Sequence, residues 1–135
     1  MAGKKFKLVM LVDDSEIDNL INQKMIEAAD ITELIFTHTG AKSAIEFLRN
    51  IEKLPDPDPV IPNVIFLDID MPLMDGFQFL DEFQKLTDRT KKKIKIVMLT
   101  SSVNPQDYTQ SKKYGTVQLF LNKPLNHQSI TQMEL

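Results

Sequence analysis

The chain has 135 residues, 42% of them hydrophobic and 26% charged, and its formal net charge is −3. This length allows one domain with a buried core, and the small negative charge gives no field that would hold DNA or another polyanion. The absence of cysteine excludes disulfides and thiolate metal sites, and the longest unbroken apolar run, of five residues, is far too short for a membrane helix, so we expect a cytoplasmic protein.

Short apolar runs alternate with segments of helical period along the chain. The runs 8–12, 64–67 and 94–99 are rich in Val, Ile and Leu without alternation, which is typical of parallel strands covered by helices on both faces. In chain order we predict strand 8–12, helix 16–29, strand 31–39, helix 41–54, strand 64–67, helix 77–86, strand 94–99, helix 107–114, strand 117–121 and a short last helix within 125–135. The stripe of helix 16–29 expected to cover the sheet consists of Ile17, Leu20, Ile21, Met25 and Ala28.

Five strand–helix repeats joined by short loops predict an α/β fold, an open doubly wound parallel sheet of the flavodoxin-like type with strand order 2-1-3-4-5. We expect residues 1–135 to form this one domain, without an output domain. Residues 54–62 contain four of the seven prolines and are expected to form a stiff surface loop. Residues 89–93, with three consecutive lysines, are expected to form a solvated loop.

Polar residues follow the predicted strands at their carboxyl ends, where ligands bind in open α/β sheets. They are Asp13 and Asp14 after the first strand, Asp68 after the third, Thr100 after the fourth and Lys123 after the fifth. Three neighbouring carboxylates repel one another by roughly 1 to 4 kcal/mol per pair, and an all-oxygen cluster of this kind suits Mg²⁺. A carboxylate beside Mg²⁺ can act as a nucleophile toward phosphorus, with the ammonium and hydroxyl groups binding phosphoryl oxygens.

Structural alternatives exist for these residues. Asp13 and Asp14 precede Ser15, so this segment could simply cap the first helix, with Ser15 and Asp18 forming a pair like a capping box. Asp68 interrupts an apolar strand, where an unpaired charge would be costly, so a purely structural role is harder to defend for this residue.

Four sequence blocks surround the polar residues: LVDD at 11–14, FLDIDMPLMDG at 66–76, MLTS at 98–101 and NKPL at 122–125. In this order the blocks resemble the signature of bacterial response-regulator receiver domains (CheY-like), and the resemblance extends from about residue 6 to the C-terminus. The central block is the specific one, whereas the others are weak singly.

The resemblance implies that Asp68 is a phosphoacceptor, which receives a phosphoryl group from a histidine of a sensor histidine kinase or a histidine phosphotransfer protein. It also implies that Mg²⁺ is bound directly by Asp14 and Asp68, by the backbone carbonyl of Asp70, and by Asp13 mainly through water. The chain would then catalyse only its own phosphorylation and dephosphorylation.

The resemblance further implies that Thr100 and Lys123 bind the phosphoryl oxygens, that the Lys123–Pro124 peptide bond is cis, and that Phe120 is an aromatic switch. Phosphorylation would remodel the face formed by the fourth predicted helix, the fifth strand and the last helix, and this face would contact an unidentified downstream protein. We expect no direct nucleic-acid contact and no membrane insertion.

Secondary positions around the site leave the lifetime of the acyl phosphate open. Asp70 lies two residues after the phosphoacceptor and Ser102 two residues after Thr100, and such positions influence dephosphorylation in the family. Ser101 adds a second hydroxyl beside Thr100. The cognate kinase, the oligomeric state and whether the chain is a stand-alone receiver or an excised one also stay open.

Two other functions are considered. One is a receiver-like adaptor that binds a partner without being phosphorylated, although all five key positions are intact. The other is a phosphatase of the haloacid dehalogenase type, suggested by Asp68-Ile69-Asp70. Those enzymes carry Thr or Val where Pro72 stands, and their second acidic pair follows the nucleophile instead of preceding it.

Overall fold

The computed structural model describes residues 4–101, 104–133 and 135. Within these residues there are five strands and six α-helices. In chain order they are β1 (Phe6–Val12), α1 (Glu16–Ala29), β2 (Thr32–His38), α2 (Ala41–Ile51), β3 (Val64–Asp68), α3 (Gly76–Phe83), α4 (Asp88–Lys93), β4 (Lys95–Thr100), α5 (Pro105–Ser111), β5 (Val117–Asn122) and α6 (His127–Thr131). A single 3₁₀ turn, Asp58–Val60, lies in the proline-rich loop before β3.

The strands form one parallel sheet in the order β2-β1-β3-β4-β5, which confirms the predicted flavodoxin-like topology. Successive residues of β3 enter different layers of the core: Ile65 packs in an apolar cluster with residues of α2 and α3, whereas Phe66 packs in a second cluster with residues of α1 and α6. Because both faces are covered, every residue of β3 is buried. Because the strands are parallel, the carboxyl ends of β1, β3 and β4 lie at the same edge of the sheet, where the site forms.

The predicted apolar stripe of α1 is wrong except for Met25, which is partly buried and packs against the core. Ile17, Leu20 and Ile21 are 70%, 54% and 40% exposed, and the buried residues of the helix are Asn19, Asn22 and Ile26. The helix is turned so that its two asparagines reach backbone groups of neighbouring segments, since buried amides need hydrogen-bond partners. The three large apolar side chains are consequently left on the surface.

The solvated loop predicted for residues 89–93 is also wrong, because these residues belong to α4. Thr87 caps this helix by accepting a hydrogen bond from the Thr90 amide, and the three lysines occupy its last turn, where positive charge is favourable. Glu52, just after α2, holds the first turn: its Oε2 accepts from the Thr87 amide at 2.9 Å, from Thr87 Oγ1 at 2.5 Å and from Thr90 Oγ1 at 2.7 Å. Although partial burial opposes it, these bonds keep the pKa of Glu52 below its usual value.

Ion pairs join the proline-rich loop to α4. Asp58 lies 2.9 Å from Arg89 and 2.8 Å from Lys93, with its oxygens facing the two cationic nitrogens. Together with the hydrogen bonds of Glu52, these contacts fasten the end of α2 and the loop to the segment that leads into β4.

The remaining helix ends differ modestly from prediction. Helix α2 ends at Ile51, three residues before the predicted end, because Pro55 follows closely. Helix α6 has five residues, which confirms that the last helix is short. No helix in the described ranges has the length and apolarity needed to cross a lipid bilayer.

Candidate functional site

The acidic doublet lies directly after β1, in the connection to α1. Asp13 is 2% exposed and Asp14 is exposed. The Asp13 amide donates to the carbonyl oxygen of His38, which anchors the connection to the end of β2, and Asp13 Oδ1 accepts from the Ser15 amide at 2.9 Å. Burial is the main reason that the pKa of Asp13 lies above its usual value.

Asp68 ends β3 and is 2% exposed. One oxygen from each of Asp13, Asp14 and Asp68 lies within 4.8 Å of the others, so the structure brings the three predicted carboxylates together. Burial, followed by the negative charge of Asp13, raises the pKa of Asp68 to about 6. Ionisation of the Asp68 carboxyl group at the end of this buried strand is therefore costly without a cation.

Lys123 supplies the nearest positive charge. Its Nζ lies 2.9 Å from Asp13 Oδ2, 2.9 Å from Asp18 Oδ2 and 3.2 Å from Asp68 Oδ1, and its side chain is 11% exposed. Burial lowers the pKa of Lys123, but the hydrogen bonds to Asp13 and Asp18 outweigh this effect and raise it above the usual lysine value. The ammonium is thus fully charged at neutral pH and lies among three carboxylates.

Thr100 and Phe120 occupy the two strands beside this group. Thr100 is the last residue of β4 and is fully buried, and its carbonyl oxygen accepts from the Lys123 amide at 2.7 Å. Phe120 lies on β5, half-buried, and the ring of Tyr108 from α5 packs edge-on against it with 5.6 Å between centroids. Both predicted switch positions therefore lie on the two strands between β3, which ends at Asp68, and α5.

The secondary positions are more peripheral. Ser101 and Pro124 line a groove of about 200 Å³ beside Lys123, and the Lys123–Pro124 bond is cis, as expected. Asp70 is exposed two residues beyond β3. Ser102 lies outside the described residues.

Three supporting residues were missed by the sequence analysis. The Asn19 amide group donates to the carbonyl oxygens of Asp13 and His38, and Asn22 Oδ1 accepts from the Leu125 amide at 3.0 Å. Gly76 begins α3 so close to the end of β3 that a Cβ there would lie 2.8 Å from the backbone oxygen of Asp68. The spacing of the asparagines, three residues apart on a helix, is a signal that could have placed them on one face.

The proposed Asp18–Ser15 capping box is only half formed. Ser15 Oγ accepts from the Asp18 amide, but the Asp18 carboxylate bonds Lys123 instead of returning to Ser15. The predicted cap of the first helix by Ser15 is therefore confirmed, whereas the reciprocal bond from Asp18 is not formed.

The donor set fits a hard divalent cation. Asp68 Oδ1 is buried and has no hydrogen-bond partner among the described residues, although it is in ion-pair contact with Lys123. The converging groups of Asp13, Asp14 and Asp68 offer only oxygen atoms, and oxygen is the donor that Mg²⁺ prefers. One lysine does not balance three carboxylates, so a cation would relieve the remaining repulsion.

Comparisons with known proteins identify the family to which this fold belongs. The family model of the response regulator receiver domain matches residues 9–134. Response regulator Rcp1 of Synechocystis is 31% identical over 128 residues, which cover 94% of this chain and 83% of that protein. Sensor histidine kinase CheAY of Helicobacter pylori is 29% identical over 124 residues, and the match spans 92% of this chain but 14% of that protein. A solved two-component response regulator from Cytophaga hutchinsonii has a TM-score of 0.84 and 27% identity, covering 95% of this chain and 93% of the other.

Proposed function

This chain belongs to the response regulator receiver domain family, and from that membership we propose that Asp68 accepts a phosphoryl group from a phosphohistidine donor with the help of Mg²⁺. The observation that carries the proposal is the buried Asp68 carboxylate, grouped with Asp13 and Asp14 and contacted by the Lys123 ammonium. A purely structural role would not require a third carboxylate at this costly position.

The transfer is a displacement at phosphorus. An oxygen of the Asp68 carboxylate forms a bond to phosphorus while the bond from phosphorus to the donor's imidazole nitrogen breaks, and the imidazole keeps the electron pair. The Lys123 ammonium, 3.2 Å from Asp68 Oδ1, supplies positive charge beside the incoming phosphoryl oxygens. Asp13, Asp14, Asp68 and the backbone carbonyl of Asp70 would hold Mg²⁺, which would supply further positive charge that reduces the repulsion between the Asp68 carboxylate and the phosphoryl group.

Phosphorylation then adds a charge of about −1.5 to −2 next to Thr100 and Lys123. We propose that the Thr100 hydroxyl turns toward the new phosphoryl oxygens and that Phe120 follows, which changes its edge-on contact with Tyr108. In this structure the affected face consists of α5, β5 and α6. It would be the surface that a downstream protein reads.

The exposed apolar residues of α1 support a histidine-bearing protein as donor. Ile17, Leu20 and Ile21 lie on the first turns of the helix, and Ile21 lines the same groove as Lys123. Exposed apolar side chains grouped beside a reactive centre are typical of a protein contact. A donor charged from ATP would act in the cytoplasm, and we propose that location for this chain.

The direct test is labelling with acetyl phosphate and Mg²⁺, followed by intact mass measurement. We expect the protein mass to increase by one phosphoryl group in the wild type and in Asp56→Asn, which is a matched control at an exposed aspartate. The mass of Asp68→Asn should not increase. An unchanged wild-type mass, under conditions that label another receiver, would favour the adaptor. Repeated fast turnover of a small phosphate monoester would instead favour the phosphatase.

A further inference from the structure

Asp18 occupies the third position of α1, where an acidic residue normally completes a capping box. Its amide does bond the cap residue Ser15, at 3.1 Å from Ser15 Oγ. The Ser15 amide, however, donates to Asp13 Oδ1, and Asp18 Oδ2 lies 2.9 Å from Lys123 Nζ. The Asp18 carboxylate is thus diverted from the cap to Lys123, and only one of the two hydrogen bonds of a capping box is formed.

The Asp18 carboxylate contacts the same Lys123 ammonium group that lies beside Asp68. Lys123 has three N–H donors, and its hydrogen bonds go to Asp13 and Asp18. Asp68 Oδ1 is close, at 3.2 Å, but receives no hydrogen bond from any described residue. The ammonium is therefore shared among three carboxylates, and its two shorter contacts are to Asp13 and Asp18.

Asp18 differs from the other two partners of Lys123. Asp13 and Asp68 belong to the carboxylate group that fits a cation, whereas Asp18 does not. Of the three carboxylate partners of Lys123, Asp18 is the one that would stay available to the ammonium if a cation engaged that group and Asp68 carried a phosphoryl group. Its side chain is 39% exposed, so its charge is screened but not removed.

We propose that Asp18 is a positioning residue that restrains Lys123 and competes with the phosphoryl group for the ammonium. It acts through Lys123 and does not touch the reacting atoms. The competition weakens the contact between Lys123 and the phosphoryl oxygens and so shifts the balance toward the unphosphorylated state. This inference rests on the proposed phosphoacceptor function of Asp68.

The test is the affinity for beryllofluoride, a mimic of the phosphoryl group, measured by calorimetry at saturating Mg²⁺. We expect Asp18→Asn to bind about three- to tenfold more tightly than the wild type, as removal of a partly exposed ion pair implies. Asp18→Glu keeps the carboxylate and should stay within about twofold. Glu16→Gln is the matched control, because it removes one negative charge from an exposed residue of the same helical turn.

A double-mutant cycle separates restraint of Lys123 from a general charge effect. In the Lys123→Gln background the Asp18→Asn change should lose its effect, because the residue through which it acts is gone. Persistence of the effect in that background, an equal effect of Glu16→Gln, or weaker binding by Asp18→Asn would overturn the inference. If Lys123→Gln does not fold by circular dichroism, the comparison of Asp18→Asn with Asp18→Glu and Glu16→Gln decides the question.

The two proposals fail differently. A wild type that takes up phosphoryl groups and beryllofluoride, with Asp18→Asn indistinguishable from it, refutes the role of Asp18 alone. A wild type that does neither refutes the phosphoacceptor function, and the role of Asp18 falls with it.

Discussion

Replacement of Asp68 by asparagine should stabilise the metal-free protein at neutral pH. Burial and the neighbouring Asp13 raise the pKa of Asp68 from 3.8 to about 6, so the folded protein binds the proton more tightly than the unfolded chain does. The free energy of unfolding therefore falls as the pH rises from below 3.8 to above 6, because over this interval only the folded state holds the proton. Asparagine mimics the protonated form and removes this cost.

The magnitude follows from the same values. At about 1.4 kcal/mol for each pH unit, the interval between 3.8 and about 6 corresponds to about 3 kcal/mol. Asp68 is 2% exposed, so solvent screening reduces this figure little. We expect Asp68→Asn to be about 1 to 3 kcal/mol more stable than the wild type at pH 7.5, because the amide gains less than a full hydrogen-bond set in its place.

Urea denaturation of both proteins in EDTA, at pH 7.5 and at pH 4, measures the difference. The advantage of Asp68→Asn should be largest at pH 7.5 and should shrink at pH 4, where the wild-type carboxyl group is largely protonated. Added Mg²⁺ should stabilise the wild type more than the variant, and so the difference between their free energies of unfolding at pH 7.5 should become smaller. An advantage independent of pH, or a less stable variant at pH 7.5, would refute the argument that a costly carboxylate lies at this position.

Three further predictions concern the surroundings of the site. Glu52→Gln should lower the free energy of unfolding at pH 7 by about 1 to 2 kcal/mol, since it weakens three hydrogen bonds, whereas Glu46→Gln on the exposed side of α2 should change it little in the same urea titration. Gly76→Ala should unfold at lower temperature by calorimetry and label more slowly with acetyl phosphate, because its Cβ would press on the Asp68 backbone; Gly115→Ala, with open space around it, is the control and should do neither. Leu20→Asn should slow transfer from a phosphohistidine donor while leaving acetyl phosphate labelling unchanged, and equal rates from the donor would exclude α1 as the docking surface.

The fold could be predicted because strand burial leaves a direct mark on the sequence. A buried parallel strand such as β3 needs apolar residues on both faces, and the unbroken run shows this without ambiguity. The exposed face of α1 could not be predicted in this way. Its orientation depends on which backbone groups Asn19 and Asn22 satisfy, and those groups come from segments distant in sequence.

Short helices were harder to predict than strands. Helix α4 has no apolar stripe, since its sequence is polar except for its flanks, and it forms because Thr87 caps it and Glu52 binds its first turn. That contact joins residues 35 positions apart and leaves no periodic signal in the sequence. The run of lysines correctly indicated that this segment is in contact with solvent, but it did not indicate a helix.

The candidate site shows the same division. The carboxyl ends of parallel strands must meet at one edge, so the convergence of Asp13, Asp68 and Lys123 follows from topology. The partnership of Lys123 with Asp18 does not follow, because a helix cap and an ion pair place the same demand on that sequence position. Only the side-chain direction decides between them.

The contacts of Glu52 and Asp58 with the segment around α4 lie at the edge of the sheet opposite Asp68. Ion pairs and hydrogen bonds hold this far edge, whereas the edge with Thr100 and Phe120 contains the groups that we propose to rearrange on phosphorylation. We therefore expect amide hydrogen exchange to be slower around Glu52 and Asp58 than around Thr100 and Phe120. Phosphorylation would then change the conformation around Thr100 and Phe120 and leave the contacts of Glu52 and Asp58 in place.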